Sequence, residues 1–276
     1  MPGVIDCGGR PLDLGRAAVM GILNVTPDSF SDGGRYLAGD AALRQAELMR
    51  AQGADIIDLG GESTRPGADP VPVQQEIDRV IPVIEAVAGA VDIPISIDTS
   101  KPEVMQCALD AGAGLINDVY ALRAPGAIEV AAAAGVPVCL MHMQGEPRTM
   151  QKEPRYDAVT REVVEFLQAR TEACMAAGIP RERLLVDPGF GFGKSLAHNL
   201  TLLRELSALA ETGFPVLVGL SRKSMLAKLL DLPVERRLAG SVTLALVAIS
   251  HGAQVVRVHD VAETVEAVRT WEAVYN

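Results

Sequence analysis

Eight short apolar runs in the sequence each end in polar side chains of the kinds that bind and transform small molecules. VMGIL (residues 19–23) leads to Asn24, DIIDLG (55–60) opens onto residues 60–64 with Thr64 at their end, and PISID (94–98) finishes on Asp98. GLIND (114–118) contains Asn117, VPVCLMH (136–142) ends on His142, RLLVD (183–187) ends on Asp187, and PVLVGLS (215–221) passes into Arg222 and Lys223. QVVRVHD (254–260) carries Arg257 and His259, two apart, so that on a strand both face the same side. A lone Asp or Asn in such a place is more often a turn former or a helix cap. Eight polar ends in succession go beyond what turns require. The first run is followed by NVTPDSFSDGG (24–34), with two Asp, two Ser, two Gly, a Pro and the single aromatic Phe30, where a turn would need less.

The elements that must carry these residues follow from the spacing. Ala- and Leu-rich amphipathic stretches separate the runs, and the runs themselves are almost continuously apolar, the pattern of parallel strands covered by helices. Eight such units in 276 residues predict a single TIM-type (β/α)8 barrel, with residues 1–276 as one domain. Barrel enzymes place their chemistry at the C-terminal rim of the strands, where the polar ends fall. Residues 100–103, SKPE, predict a capping box before a helical face of Val104, Met105, Ala108 and Leu109 that stops at Gly112. Asp260 to Glu263 repeats the device before Val261, Val265, Val268 and Trp271. IDCGGRPLDL (5–14), with turn chemistry at its centre, predicts a short N-terminal hairpin beneath the barrel.

Composition narrows the function classes. The chain is 49% hydrophobic and 22% charged, as a globular protein is, and its net charge of -10 argues against nucleic acid or an anionic membrane surface as partner. An anionic ligand then has to be met by a local cluster of Arg, Lys, His or metal. No run approaches the roughly 18 apolar residues of a membrane span, and MPGVIDCGGR lacks the order of a signal peptide, so a cytoplasmic location is expected. Cys7, Cys107, Cys139 and Cys174 form no Cys-x-x-Cys pair and read as reduced, mostly buried thiols. Two motifs fail on spacing. DPGFGFGKS (187–195) has three residues between Gly189 and Gly193 where a phosphate-binding P-loop has four; its glycines suit a loop passing close to a ligand, with Phe190 and Phe192 as packing or stacking groups. His142, His251 and His259 lack zinc-like spacing.

GILNVTPDSFSDGG, DLGGESTRPG, SIDTSKPEV, INDV, LMHMQGEPRTMQ, DPGFGFGKS, VGLSRKSM and RVHDV together resemble the dihydropteroate synthases of folate biosynthesis, in family order across residues 21–261. The resemblance implies a transferase that joins 6-hydroxymethyl-7,8-dihydropterin diphosphate to p-aminobenzoate with Mg2+, is inhibited by sulfonamides and works as a homodimer. It places the pterin among Asp98, Asn117, Asp187 and Lys223, with Met141 and Phe192 as apolar walls. The residue types suit this: Asp accepts a pair of parallel N–H bonds, Asn donates and accepts, and Lys donates to a ring carbonyl. A structural Asp187–Lys223 ion pair is the plainer alternative, although burying one rarely adds stability. The diphosphate falls to Arg257 and His259 with Thr64 and Arg65, and Mg2+ to Asn24, most metal positions being left to water and substrate.

Asp98 is then placed to stabilise a cation-like dihydropterin, and no general base is assigned because an aniline nitrogen is unprotonated near neutral pH. Phe30, Pro66, Phe192 and the stem of Lys223 are expected to form the p-aminobenzoate slot, with Ser224 and the following helix N-terminus at its carboxylate. NVTPDSFSDGG is expected to be a lid over the substrates. Two other readings are a pterin-dependent methyltransferase of the same superfamily, against which SRKS and the lid residues 28–34 stand, and a non-catalytic pterin-binding barrel, against which the full set of site residues stands.

Overall fold

The computed structural model describes residues 3–25, 34–64 and 67–275, with side chains from residue 39 onward in the second segment. A hairpin of β1 (Val4–Cys7) and β2 (Arg10–Asp13) opens the chain, antiparallel as expected. There follow β3 (Ala18–Asn24), α1 (Gly34–Ala51), β4 (Ile56–Gly60), α2 (Val73–Ala90), β5 (Ile95–Asp98), α3 (Pro102–Asp110), β6 (Leu115–Asp118), α4 (Ala127–Ala134) and β7 (Val138–Met141). The second half runs through α5 (Val159–Ala176), β8 (Leu184–Asp187), α6 (Leu196–Arg204), α7 (Ser207–Ala210), β9 (Leu217–Val218), α8 (Ser224–Leu230), α9 (Leu238–Ser250), β10 (Val255–Val258) and α10 (Val261–Tyr275).

Strands β3 to β10 form one eight-stranded parallel sheet in the order β8-β7-β6-β5-β4-β3-β10-β9. A parallel bridge between Val186 and Val216, with Val186 N–H donating to Pro215 O at 2.9 Å, joins its two edges and closes the barrel. Residues pointing outward from the strands, such as Val19, Ile57, Ile97, Ile116, Leu140 and Val256, pack with the helices into the main core. Residues pointing inward form the second core: Ala18, Met20, Ile56, Leu115, Cys139, Leu185, Leu217 and Val255 fill the lower barrel.

Ile5, Cys7, Leu12 and Leu14 of the hairpin belong to that inner core, so the hairpin floors the barrel. Gly114 permits the approach, because a Cβ there would stand 2.1 Å from Cys7 O. Alternation by two residues then carries the same strands from an apolar floor to a polar mouth: Met20 to Asn24, Leu115 to Asn117, Leu185 to Asp187, Val255 to Arg257.

Two helix starts differ from expectation. Ser100 Oγ donates to Asp118 Oδ1 at 2.5 Å instead of capping α3, whose N-cap is Lys101 without a side-chain cap. Asp260 is paired with Arg222, Nε donating to Oδ2 at 3.0 Å. In both places a tertiary partner outcompetes the local backbone. A capping box does form at α6, between Ser195 and His198.

Candidate active site

Arg257 joins the polar mouth together. Its guanidinium turns into the barrel, Nε donating to Asp58 Oδ2 at 2.5 Å and Nη2 to Asp98 Oδ2 at 2.8 Å. Asn117 Nδ2 donates to the same Asp58 oxygen at 3.3 Å. Burial works against the charge on Arg257, but Asp58 and Asp98 outweigh it and hold the side chain protonated above its ordinary value. Burial pushes the Asp98 carboxyl up to about 7, with Arg257 opposing and the charge on Asp58 adding.

Across the mouth, Asp187 is buried, and Gly189 N–H donates to its Oδ1 at 2.7 Å. Burial raises its carboxyl, against the opposing charge of Lys223. Burial lowers Lys223 to about 8, with Asp187 opposing. The two interact without forming an ion pair: Lys223 Nζ donates to Phe190 O and sits 4.4 Å from the centre of the Phe192 ring. The expected alternative of a structural Asp187–Lys223 pair is thus not what the structure holds.

Lys223 is positioned by a turn with Arg222 at φ 57°, a left-handed conformation that a non-glycine residue adopts only when its surroundings enforce it. Here they do. Arg222 N–H donates to Ser241 Oγ at 2.9 Å, Arg237 donates to Arg222 O at 3.0 Å, and Asp260 holds the Arg222 guanidinium. The same turn presents Ser221 Oγ 3.0 Å from His259 Nδ1 while accepting the His259 main-chain N–H at 3.2 Å. With one hydrogen and two lone pairs, that hydroxyl can either donate to Nδ1 or accept from it, so it holds the ring in place in either tautomer.

Met141 is buried in a small apolar cluster with Val119, Met143 and Met150, against which Tyr120 and Phe192 pack. Phe190 is fully buried in the main core, a packing group. Thr64, Asp98, Val119 and Tyr120 line a cavity of about 110 Å³ that extends to Glu146. Asn24 ends β3 opposite Gly60, and Ser224 is the exposed first residue of α8. Phe30, Arg65, Pro66 and nearly all of NVTPDSFSDGG lie outside the described residues.

No cluster of three or more His, Cys, Asp or Glu suited to a metal ion occurs among the described residues. The donor set fits an ion of the Mg2+ type all the same, since that ion keeps several waters and needs few protein ligands beside substrate phosphates. One amide oxygen at the end of β3, the strand paired with the β10 that carries Arg257, is a donor set of that kind.

Residues 20–259 match the pterin binding enzyme family. The dihydropteroate synthase of Haemophilus influenzae is 53% identical over 265 residues, which span 96% of this chain and 96% of that one. The chain belongs to the dihydropteroate synthase family. Dihydropteroate synthase of Xanthomonas albilineans with 4-aminobenzoic acid is 52% identical with a TM-score of 0.95, the match covering 100% of this chain and 99% of that one. The same organism's enzyme in complex with 7,8-dihydropteroate is 50% identical with a TM-score of 0.90, over 99% of this chain and 98% of that one.

Three features of this chain escape the sequence reading. Asp58 is the first, and its signal is present in DIIDLG: one charge inside an otherwise apolar strand. Lys194 is the second. Its buried Nζ lies 2.9 Å from His142 Nδ1 and donates to Gly189 O at 2.9 Å and Phe192 O at 3.1 Å, tying the loop after β8 to the end of β7. His142 is therefore a buried tie, not a rim group; burial, then Lys194, lowers it to about 2. The third is Lys101, which bridges Glu62 and Glu76 at 2.5 Å each while Glu62 Oε1 accepts Val71 N–H at 2.8 Å. Nothing in the local sequence marks that tether of the loop after β4, because its partners come from three separate segments.

Proposed function

We propose that this member of the family condenses 6-hydroxymethyl-7,8-dihydropterin diphosphate with p-aminobenzoate to give 7,8-dihydropteroate and diphosphate. The observation that carries the reading is the convergence of Asp98, Asn117, Asp187, Lys223 and Arg257 from separate strand ends onto one partly buried mouth. Asp187 accepts two N–H bonds of the pterin, Lys223 turns from Phe190 O to the ring carbonyl, and Asn117 adds a mixed donor and acceptor edge. Met141 and Phe192 cover the faces of the ring.

Arg257, His259, Thr64 and Arg65 hold the diphosphate. Asn24 would hold Mg2+, whose contribution when bound is to neutralise charge on the phosphate oxygens. The C–O bond to diphosphate breaks, the amine nitrogen of p-aminobenzoate bonds to the exocyclic methylene carbon, and the proton of the resulting arylammonium passes to solvent. Asp98, as carboxylate, stabilises the positive charge that builds on the dihydropterin as the leaving group departs. Phe30, Pro66 and the stem of Lys223 border the aromatic acid, and Ser224 meets its carboxylate. Homodimeric assembly and a cytoplasmic location complete the proposal, supported by the family resemblance and the acidic charge balance.

Purified protein with Mg2+ and the pterin diphosphate is expected to form dihydropteroate and release diphosphate in equal amounts once p-aminobenzoate is added, with sulfonamides competing against the latter. No product with both substrates saturating would refute the reading.

A further inference from the structure

Asp58 is the single charged residue of β4, and it is completely buried. Its strand neighbours Ile57 and Leu59 face the helices, so Asp58 faces the barrel interior, paired in register with Ile22 on β3 and Ser96 on β5. It lies one layer below the mouth and one above the apolar floor that Ile56 and Leu115 help to fill. Stability alone does not account for a charge there. An ion pair buried with Arg257 is often no better than apolar residues of the same volume, and the site leaves Asp58 Oδ1, Asp98 Oδ1 and Ser96 Oγ buried without a partner among the described residues.

What the carboxylate does is orient two neighbours through one atom. Its Oδ2 accepts both Arg257 Nε and Asn117 Nδ2. A carboxylate has lone pairs and no hydrogen, so only the NH2 end of Asn117 can face it. One hydrogen of that NH2 is thereby held inward, and Oδ1 and the other hydrogen are held toward the mouth in a fixed order. A side-chain amide turned by half a revolution would exchange donor for acceptor and misread the ring opposite. The same oxygen fixes the Nε edge of Arg257, leaving the opposite edge of its guanidinium for Asp98 and the mouth.

We infer that Asp58 is a positioning residue for both halves of the pterin substrate, setting the amide polarity of Asn117 toward the ring and the heading of Arg257 toward the diphosphate. The inference rests on the proposed pterin site and adds to it a residue that touches no substrate atom. Asp58→Asn keeps the volume and lets Asn117 adopt either orientation.

Calorimetry with 6-hydroxymethylpterin, which lacks the diphosphate, is expected to show about a tenfold loss of affinity for Asp58→Asn, the size of one hydrogen bond. The loss should be larger for the pterin diphosphate, where Arg257 also counts. In an Asn117→Ala background, Asp58→Asn should cost the unphosphorylated pterin less than about threefold, because the two act through one contact. Ser96→Ala, in the same buried layer, should bind both ligands as the unaltered protein does. Wild-type affinities in Asp58→Asn, or losses that add independently of Asn117, would overturn the inference while leaving the site reading intact; absence of pterin binding by the unaltered protein would overturn both. Should Asp58→Asn fail to fold, the unaltered protein decides. One of the two Asn117 side-chain amide protons should be protected from solvent exchange by NMR, with and without pterin, and two freely exchanging protons would refute the role.

Discussion

Burial lifts the Asp98 carboxyl to about 7, so its charge changes near neutral pH. Burial raises it from 3.8, so the native state binds a proton there that the unfolded chain has already released. Its contribution to stability is thus complete below the ordinary carboxylate value and is lost as pH rises through about 7. Asp118 and Asp187 are displaced in the same direction by burial. The ligand-free protein is expected to melt at progressively lower temperature as pH is raised from 4 toward 7, a trend that Asp98→Asn should flatten. Carboxyl-selective NMR checks the assignment: an Asp98 resonance titrating near 4 would show that the arginine beside it outweighs burial. The proposed chemistry uses the same lever, because the positive charge that develops on the pterin favours the ionised form.

At the scale of elements, the loop 188–194 is organised around the buried amine of Lys194, not an apolar anchor. Lys194 Nζ, its pKa driven well below the ordinary lysine value by burial, donates to Gly189 O and Phe192 O and lies 2.9 Å from His142 Nδ1. Gly189, at φ 66°, brings the chain so near β7 that a Cβ would stand 1.9 Å from His142 O. That loop carries Phe190 O, which receives Lys223, and the ring of Phe192 beneath the same amine. Lys194→Met removes the donor and leaves buried carbonyls unpaired, which should cost about 2–4 kcal/mol and lower the melting temperature by several degrees. In the proposed site Phe192 and Lys223 border both substrates, so KM should rise for the pterin diphosphate and for p-aminobenzoate alike. Unchanged melting and unchanged KM values would mean that the backbone of the loop holds itself.

For the whole molecule, the barrel has a floor and a mouth that answer to different demands. Hairpin residues Ile5, Cys7, Leu12 and Leu14 seal the N-terminal end. The polar groups of the proposed site stand at the other. Gly114→Ala sets a Cβ against the Cys7 carbonyl, so the hairpin has to lift and uncover the inner core. A loss of about 1–3 kcal/mol or more is expected in denaturant unfolding, with kcat of the folded protein unchanged. A comparable fall in kcat would show that floor and mouth are coupled through the strands.

The sequence by itself determined the strands, the parallel barrel, the hairpin and the set of polar ends, because these follow from local periodicity: apolar runs of strand length, helical spacing between them, turn residues at the hairpin. It also carried the family's motifs, and with them Asp98, Asn117, Asp187, Lys223, Arg257 and His259 as candidates. Only the tertiary structure decided who holds whom. Arg257 and Asp58 are 199 residues apart, Lys101 and Glu62 are 39 apart, and Lys194 and His142 are 52 apart. Ser100 and Asp260 show the limit from the other side: both have the local pattern of a helix cap, and both are taken by a partner from another segment. A buried polar side chain satisfies the strongest partner that the closed barrel brings within reach, and the closing of the ring, a property of all eight strands at once, sets that choice.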